Sequence, residues 1–315
     1  MSARRFDLLV AGELNPDAIL VGQSIEPEYG QVERLVDDGA LTVGSSGAIV
    51  ACGAARLGMR TAYVGVVGDD AAGRFMLAEL RGRGVEVDRC RVDPGRRTGL
   101  SVVLSTGEDR AILTSAGAMS SLTAADVGAD ALAAAEHLHV SSPHLQAGLR
   151  DGLAELFARA RAAGTTTSLD PGWDPAAAAD GLDDVLAATD VFLPNAAEAR
   201  RLAGAGDPDV ALADLAARVP TVVVTLGADG AIARRGDEAV RAEAPAVDPV
   251  DTTGAGDNLA AGLLCGLGRG MGLAEALRLG VACGSRSTGA LGGVDGQPDL
   301  GEALELAGLA EGALR

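Results

Sequence analysis

The feature that most constrains this 315-residue chain is its rhythm, in which short apolar runs alternate with longer stretches of helical periodicity. Runs at 6–11 and 61–67 bracket a helical pattern over 47–57 that Gly58 stops, and a further helix is predicted over 70–81. Strand-like runs then recur at 136–142, 165–169, 190–193 and 221–226, separated by helical stretches near 148–163, 180–188, 195–204 and 208–218. Such alternation folds as βαβ units. The expected class is therefore α/β, a doubly wound, mainly parallel sheet flanked by helices. Composition agrees: 48% of residues are hydrophobic, yet there are only one Trp, two Tyr and four Phe. A core of small and branched aliphatics suits a helix-covered sheet better than an aromatic-rich sandwich. The length fits one domain over 1–315 with a small appendage.

Two segments, 18–43 and 97–115, break the rhythm. Both read as short strands joined by turns, the second as a hairpin around Gly107, Glu108 and Asp109, so they are expected to pair outside the main sheet as a β lid. No internal repeat or low-complexity linker is found.

The net charge is −18 and every basic residue is Arg. Such a field repels polyanions and argues against nucleic acid or an anionic membrane surface as a partner. A nucleotide would need metal ions or oriented backbone amides to overcome it. A lysine-dependent phosphate loop is excluded, and the GELNPD at 12–17 after the first strand lacks the glycine spacing of a dinucleotide fingerprint. Cys52, Cys90, Cys265 and Cys283 show no metal-ligand spacing and read as reduced thiols. The apolar run near the N-terminus is halted by Glu13, too early for a signal segment, and no stretch reaches membrane-spanning length. A soluble cytoplasmic protein is expected.

The strongest local signal is Asp251-Thr252-Thr253-Gly254-Ala255-Gly256-Asp257, followed by a small-residue helical pattern. Gly and Ala let backbone come close to a ligand, and free amides at a helix start attract an anion. A side chain at Gly254 is expected to intrude on that anion, while the Asp257 carboxylate could activate an attacking hydroxyl. By itself the run is also compatible with a tight turn and an ordinary first-turn acid.

This stretch resembles the C-terminal signature of the ribokinase-like (PfkB) carbohydrate kinases: an acid, Thr, any residue, two small residues, Gly, Asp and a small-residue helix. Further similarities follow in order: GELNPD at 12–17, GSSGAIVACGAARLG at 44–58, Val67-Gly68-Asp69-Asp70 with Gly73, SLDP at 168–171, LPNAAEA at 193–199 and VVTLGADG at 223–230. The resemblance covers 7–292. It implies ATP and Mg²⁺ as cofactors, with Asp257 as base and Gly254, Ala255 and Gly256 as the anion hole. Asn195 and Glu198 would organise Mg²⁺ through its waters, though a helix cap is the other reading of that pair. Thr225 and Gly227 would contact the nucleotide. Asp251 and Thr253 would hold a monovalent cation such as K⁺ with carbonyls around 284–289.

On the acceptor side the resemblance implies that Asn15 and Asp17 bind sugar hydroxyls, with Ser45, Ser46 and Gly47 beside them. A turn-forming Asn-Pro-Asp is the alternative. Ile49 stands where ribokinases place a sugar-binding Asn, and Val140-Ser141-Ser142-Pro143-His144 stands where a sugar-binding Glu is expected. Arg110 could reach the substrate from the lid, His144 could line its pocket and Trp173 could form a wall; each also reads as an ordinary surface or packing residue. The expected acceptor is a neutral monosaccharide or polyol. A nucleoside kinase on the same fold and a catalytically silent sugar-binding regulator are the rivals, and a homodimer through the lid edges is a further expectation.

Overall fold

In the computed structural model, which describes residues 4–106, 110–172, 182–310 and 312, the first apolar run forms β1, Phe6–Ala11. It is followed by β2 (Pro16–Val21), β3 (Asp38–Val43), β4 (Thr61–Val64), β5 (Val66–Gly68), β6 (Arg91–Asp93), β7 (Leu100–Ser105) and β8 (Arg110–Ser115). The second half adds β9 (Ala135–Ser141), β10 (Thr166–Asp170), β11 (Val191–Phe192), β12 (Thr221–Thr225), β13 (Ala231–Arg235) and β14 (Glu238–Ala242).

The main sheet has eight strands in the order β14-β13-β12-β11-β10-β9-β1-β4. The six strands from β12 to β4 are parallel, while β13 and β14 close one edge antiparallel. From β1 the chain moves to β4 on one side, then returns to β9 on the other and proceeds outward. The strand order thus reverses at β1, and a crevice opens beyond the carboxyl ends of β1 and β9, the place where open α/β sheets bind ligands.

Helices cover both faces. Ser46–Arg56, Ala255–Gly268 and Leu273–Ser287 pack with Leu8, Val10 and Tyr63 on one side, and Leu153–Ala162 and Pro208–Ala216 pack with Leu9, Leu138 and Phe192 on the other. Local chemistry sets their starts. Asp70 accepts the Gly73 amide at 2.8 Å to cap Ala71–Gly82, and Asp207 caps Pro208–Ala216, whose first residue is Pro.

Two predicted elements are divided. The run 61–67 breaks at Gly65, where a Cβ would stand 2.8 Å from Leu14 Cδ1 and 2.9 Å from the Gly12 carbonyl, so the backbone bends to pass the chain leaving β1. The helix predicted over 148–163 is split into Ala147–Arg150 and Leu153–Ala162 at Gly152, which sits against Ala124. The lid segments form a separate four-stranded sheet in the order β3-β2-β7-β8. Gly107, Glu108, Asp109 and Trp173 lie outside the described residues.

Candidate active site

The 251–257 run opens the helix Ala255–Gly268, with Gly254 in the left-handed region at φ 73° as its cap. The first-turn amides of Gly256 and Asp257 have no acceptor within the helix, whereas the Ala255 amide turns back to the Thr252 carbonyl at 3.3 Å. An ideal Cβ on Gly256 would meet nothing within 4 Å, so this glycine faces open space. Gly254 differs from expectation. Its Cβ would lie 2.9 Å from Gly293 Cα and 3.1 Å from Ile49 Cδ1, so a side chain there would strike the support of the turn. Ile49, buried in the helix Ser46–Arg56, thereby backs the anion turn.

Behind the turn lies a satisfied amide pair. Asn258 donates to the carbonyls of Gly254 and Gly293, each at 2.9 Å, and accepts from Gln297, which also donates to the Ile49 carbonyl. Asp251 accepts the amide and hydroxyl of Thr253 at 2.9 and 2.8 Å and, through its other oxygen, the Gly292 amide at 2.8 Å. Residues 284–287 belong to the helix Leu273–Ser287, so the loop facing Asp251 begins at Thr288, whose carbonyl accepts the amides of Val250 and Asp251.

A cavity of about 400 Å³ runs from Gly256 and Ala255 past Thr252 to Thr225 and Gly227. Its inner wall is apolar, including Val247, Leu259 and Val281, which suits a planar heterocycle beside an anion-binding end. Asn195 is bridged to Thr225 as β11 and β12 end, and forms a capping box with Glu198: each accepts the other's amide, at 2.9 and 2.8 Å.

On the acceptor side Asn15 lies on the chain that leaves β1. Its amide accepts from and donates to the protein: Ser45 Oγ donates to Asn15 Oδ1 at 3.0 Å, and Asn15 Nδ2 donates to Asp17 Oδ1 at 3.1 Å and Ser101 Oγ at 3.0 Å. In this arrangement Asn15 orients Asp17 and the Ser45 turn. Gly44 is required there, since a Cβ would fall on the Asp17 carboxylate. Gly47 passes close to Tyr63 and Ser141. From β8, Arg110 crosses the crevice to Thr252 Oγ1 at 3.1 Å and Thr253 Oγ1 at 3.4 Å, so the smaller sheet and the Asp251–Asp257 turn meet there. His144 lies beside Gly172 and Ser142 and lines a second cavity with Arg150, Asp151, Pro171, Gly172 and Arg201.

The crevice is rich in acids. Burial pushes Asp257 up to about 6, with Asp17 and Glu198 adding to the shift and Ser46 and Arg110 opposing it. Burial likewise raises Asp17 to about 6 and Glu13 to about 8. Asp170 is raised well above the carboxylate range by burial and by Asp257, Glu198 and Glu13, and burial raises Glu198 too. Glu13, Asp170, Gln146, Asn258 and Gln297 carry no role in the sequence reading. Glu13 and Asp170 stand in motifs seen there, GELNPD and SLDP, but nothing in those strings shows that the two acids converge. The cysteines are free, and burial holds the thiols of Cys52, Cys90, Cys265 and Cys283 above their usual range. Among the described residues no helix is long and apolar enough to cross a membrane.

A helix start with free first-turn amides, an acid in that first turn and a strand layer meeting both across a switch-point crevice fit a small-molecule kinase of the ribokinase fold. The chain belongs to the pfkB family carbohydrate kinases, whose domain matches residues 5–300. It is 34% identical to the 2-dehydro-3-deoxygluconokinase of Bacillus subtilis (strain 168) over 303 residues, 90% of this chain and 92% of the relative. It is 35% identical to a fructokinase of Klebsiella pneumoniae over 273 residues, 81% and 88% of the two chains. Among solved structures, the ribokinase of Arabidopsis thaliana complexed with ribose and ATP superposes with a TM-score of 0.83 at 25% identity, covering 97% of this chain and 99% of that one. The chain is thus a sugar kinase, a phosphotransferase acting on a hydroxyl group.

Proposed function

We propose that the chain transfers the γ-phosphoryl group of MgATP to a hydroxyl of an unphosphorylated, neutral monosaccharide or polyol, with Asp257 as base. The observation that carries this reading is the position of Asp257, in the first turn of Ala255–Gly268, between the cavity that Gly256 opens onto and the Asp17 and Ser46 side. At about 6, its carboxyl is ionised at neutral pH yet basic enough to take a proton from a hydroxyl as the oxygen attacks. The amides of Gly256 and Asp257 and the helix dipole meet the charge that gathers on the phosphoryl oxygens, a task that needs no lysine. Thr225 and Gly227 hold the nucleotide at the far end of the cavity, as the fold shared with an ATP-bound ribokinase supports.

A cation fits this crevice. Glu13, Asp17, Asp170, Glu198 and Asp257 are all raised by burial, several by one another as well, and a divalent ion relieves that repulsion. Among the described residues no cluster of three or more acidic, His or Cys side chains is placed to hold a metal directly. This accords with Mg²⁺ held through its waters by Glu198 and Asn195, where it would neutralise phosphate charge. Asp251 and Thr253 would hold K⁺ with carbonyls of the loop from Thr288.

Arg110 favours a second reading of the acceptor. It stands over Thr252 and Thr253, opposes the rise of both Asp17 and Asp257, and could pair with the carboxylate of a sugar acid, the kind of acceptor named for the Bacillus relative. Exposed Leu41, Ile112 and Leu113 on the lid suit pairing of two copies, which sedimentation would show as a dimer. The decisive experiment is ADP release with fructose, ribose, myo-inositol, adenosine and 2-dehydro-3-deoxygluconate. Turnover with a neutral sugar or polyol supports the first reading, with the sugar acid the second, and with adenosine a nucleoside kinase; no ADP from any acceptor indicates a silent regulator.

A further inference from the structure

Beneath the acceptor side lies a buried carboxylate that the transfer itself does not use. Glu13 is 1% exposed and sits just past the end of β1, at the switch point. One of its oxygens accepts the Ser46 amide at 3.0 Å, at the start of the helix Ser46–Arg56, and the other accepts Gln146 Nε2 at 2.8 Å. Its carbonyl accepts the Tyr63 hydroxyl at 2.7 Å. Gln146, fully buried, spends the same amide group on the Ser141 carbonyl at 2.8 Å.

These partners adjoin stored backbone strain. Among the described residues three non-glycine residues have positive φ: Gln31 in an exposed loop, Ser45 at 70° and Ser142 at 46°. Ser45 precedes the Ser46 amide that Glu13 holds, and Ser142 follows the Ser141 carbonyl that Gln146 holds. Such conformations persist where the surroundings over-determine them, and both carry hydroxyl residues into one spot, with Ser142 Oγ donating to Ser46 Oγ at 3.4 Å. Ser46 in turn faces Asp257 and opposes the rise of its carboxyl.

We propose that Glu13 is a positioning residue for phosphoryl transfer, clamping the two strained serine turns so that the Ser46 hydroxyl addresses Asp257. The inference rests on the kinase reading. It gains support from geometry: the Ser46 amide and Gln146 Nε2 both point at the carboxyl oxygens, so the clamp is complete when Glu13 is ionised. Burial and Asp257 oppose that form and push the carboxyl up to about 8, so the clamp tightens as pH rises towards that value. Glu13→Gln keeps the shape but sets an amide N–H₂ or a weaker acceptor against the two donors.

The test uses the full-length protein, ATP, and whichever acceptor of the panel the wild type turns over fastest. E13Q is expected to lower kcat about 10- to 100-fold with the KM for ATP changed less than about twofold, as for a group acting only on the transition state. Combined with Ser46→Ala, the two losses should not multiply, because both break one path to Asp257. Because the clamp needs ionised Glu13, the ratio of wild-type to E13Q kcat should grow as pH rises towards about 8, with Asp17, Asp170, Glu198 and Arg110 the other charges facing Asp257. If E13Q does not fold, Gln146→Met removes one donor to the clamp and is expected to show the same kinetic pattern. Turnover of E13Q, or of Q146M in its place, within threefold of wild type, or losses that multiply with S46A, would overturn the role of Glu13 alone. A wild type that turns over no acceptor would overturn the kinase reading and this inference together.

Discussion

The two halves of the crevice are built by different means. The half proposed for the nucleotide is made of backbone: a left-handed Gly254, the first-turn amides of Ala255–Gly268 and a cavity with an apolar wall. The half proposed for the acceptor is made of side chains, with Asn15 wired to Asp17, Ser45 and Ser101 and Arg110 reaching in from β8. A backbone site is damaged by adding atoms and a side-chain site by removing them. In the proposed reaction the contrast divides binding from selection, since amides read any phosphate whereas hydroxyls, acids and an arginine discriminate among acceptors.

Asp257 stands on the boundary and should show the largest effect. Asp257→Asn is expected to lower kcat by about 10²- to 10⁴-fold with little change in ATP affinity. In the wild type, kcat should rise as pH passes through about 6, because the raised carboxyl is protonated and inert as a base below that value. The mutant should lack that limb. Steady-state kinetics from pH 5 to 8 check both, and a mutant within threefold of wild type would leave the boundary without a base.

The backbone half can be broken by one added side chain, and the two glycines should fail differently. Gly256→Val places its branches in open cavity and should cost about 10²- to 10³-fold in kcat/KM for ATP while the protein stays folded. Gly254→Val meets Gly293 and Ile49 from a left-handed backbone, so it should lower the melting temperature as well. Equal melting temperatures for the two variants would show that Gly254 does not lean on that support.

The same division governs what could be read from the chain. Asp257, the turn before it and Asn195 with Glu198 were legible because each is a contiguous string whose spacing fixes the geometry: a helix start, an acid in its first turn, a capping pair. The βαβ rhythm was legible for the same reason, as a local period. The hairpin of β13 and β14 was not, since its short charged strands around the Gly236 turn carry little apolar alternation. The direction of Gly254 depends on Ile49 and Gly293, far away in sequence, and the Glu13 clamp joins residues 133 positions apart. Ile49 read as a lost sugar contact because composition reports what a side chain is, not which way its helix turns it.

The acceptor half should yield to removal. Arg110→Leu is expected to raise the acceptor KM about tenfold or more if the substrate carries a carboxylate, the worth of a charge-assisted pair. For a neutral sugar the same change should leave the acceptor KM within about twofold and act instead on kcat, because Arg110 then serves only the charge near Thr252 and Thr253. The ratio of the two effects assigns the acceptor class, and no change in either parameter would remove Arg110 from the site.

The smallest effect belongs to the monovalent cation, and the wiring explains why. Both oxygens of Asp251 already accept hydrogen bonds, from Thr253 and from Gly292, and the Thr288 carbonyl already ties the amides of Val250 and Asp251 to the end of Leu273–Ser287. The anion turn is therefore ordered without an ion. A cation beside Asp251 would add its field to amides that already point at the phosphate, so K⁺ should raise kcat only a few-fold over Na⁺ or tetramethylammonium at constant ionic strength. Asp251→Asn would keep acceptor oxygen for the turn but lose the charge that attracts the ion, and should bring the three salts to one rate. Equal rates in the wild type would mean that the hydrogen bonds alone suffice. A gain far above a few-fold would mean that the turn is less ordered than its bonds imply, and would move the weak point of the backbone half from its glycines to Asp251.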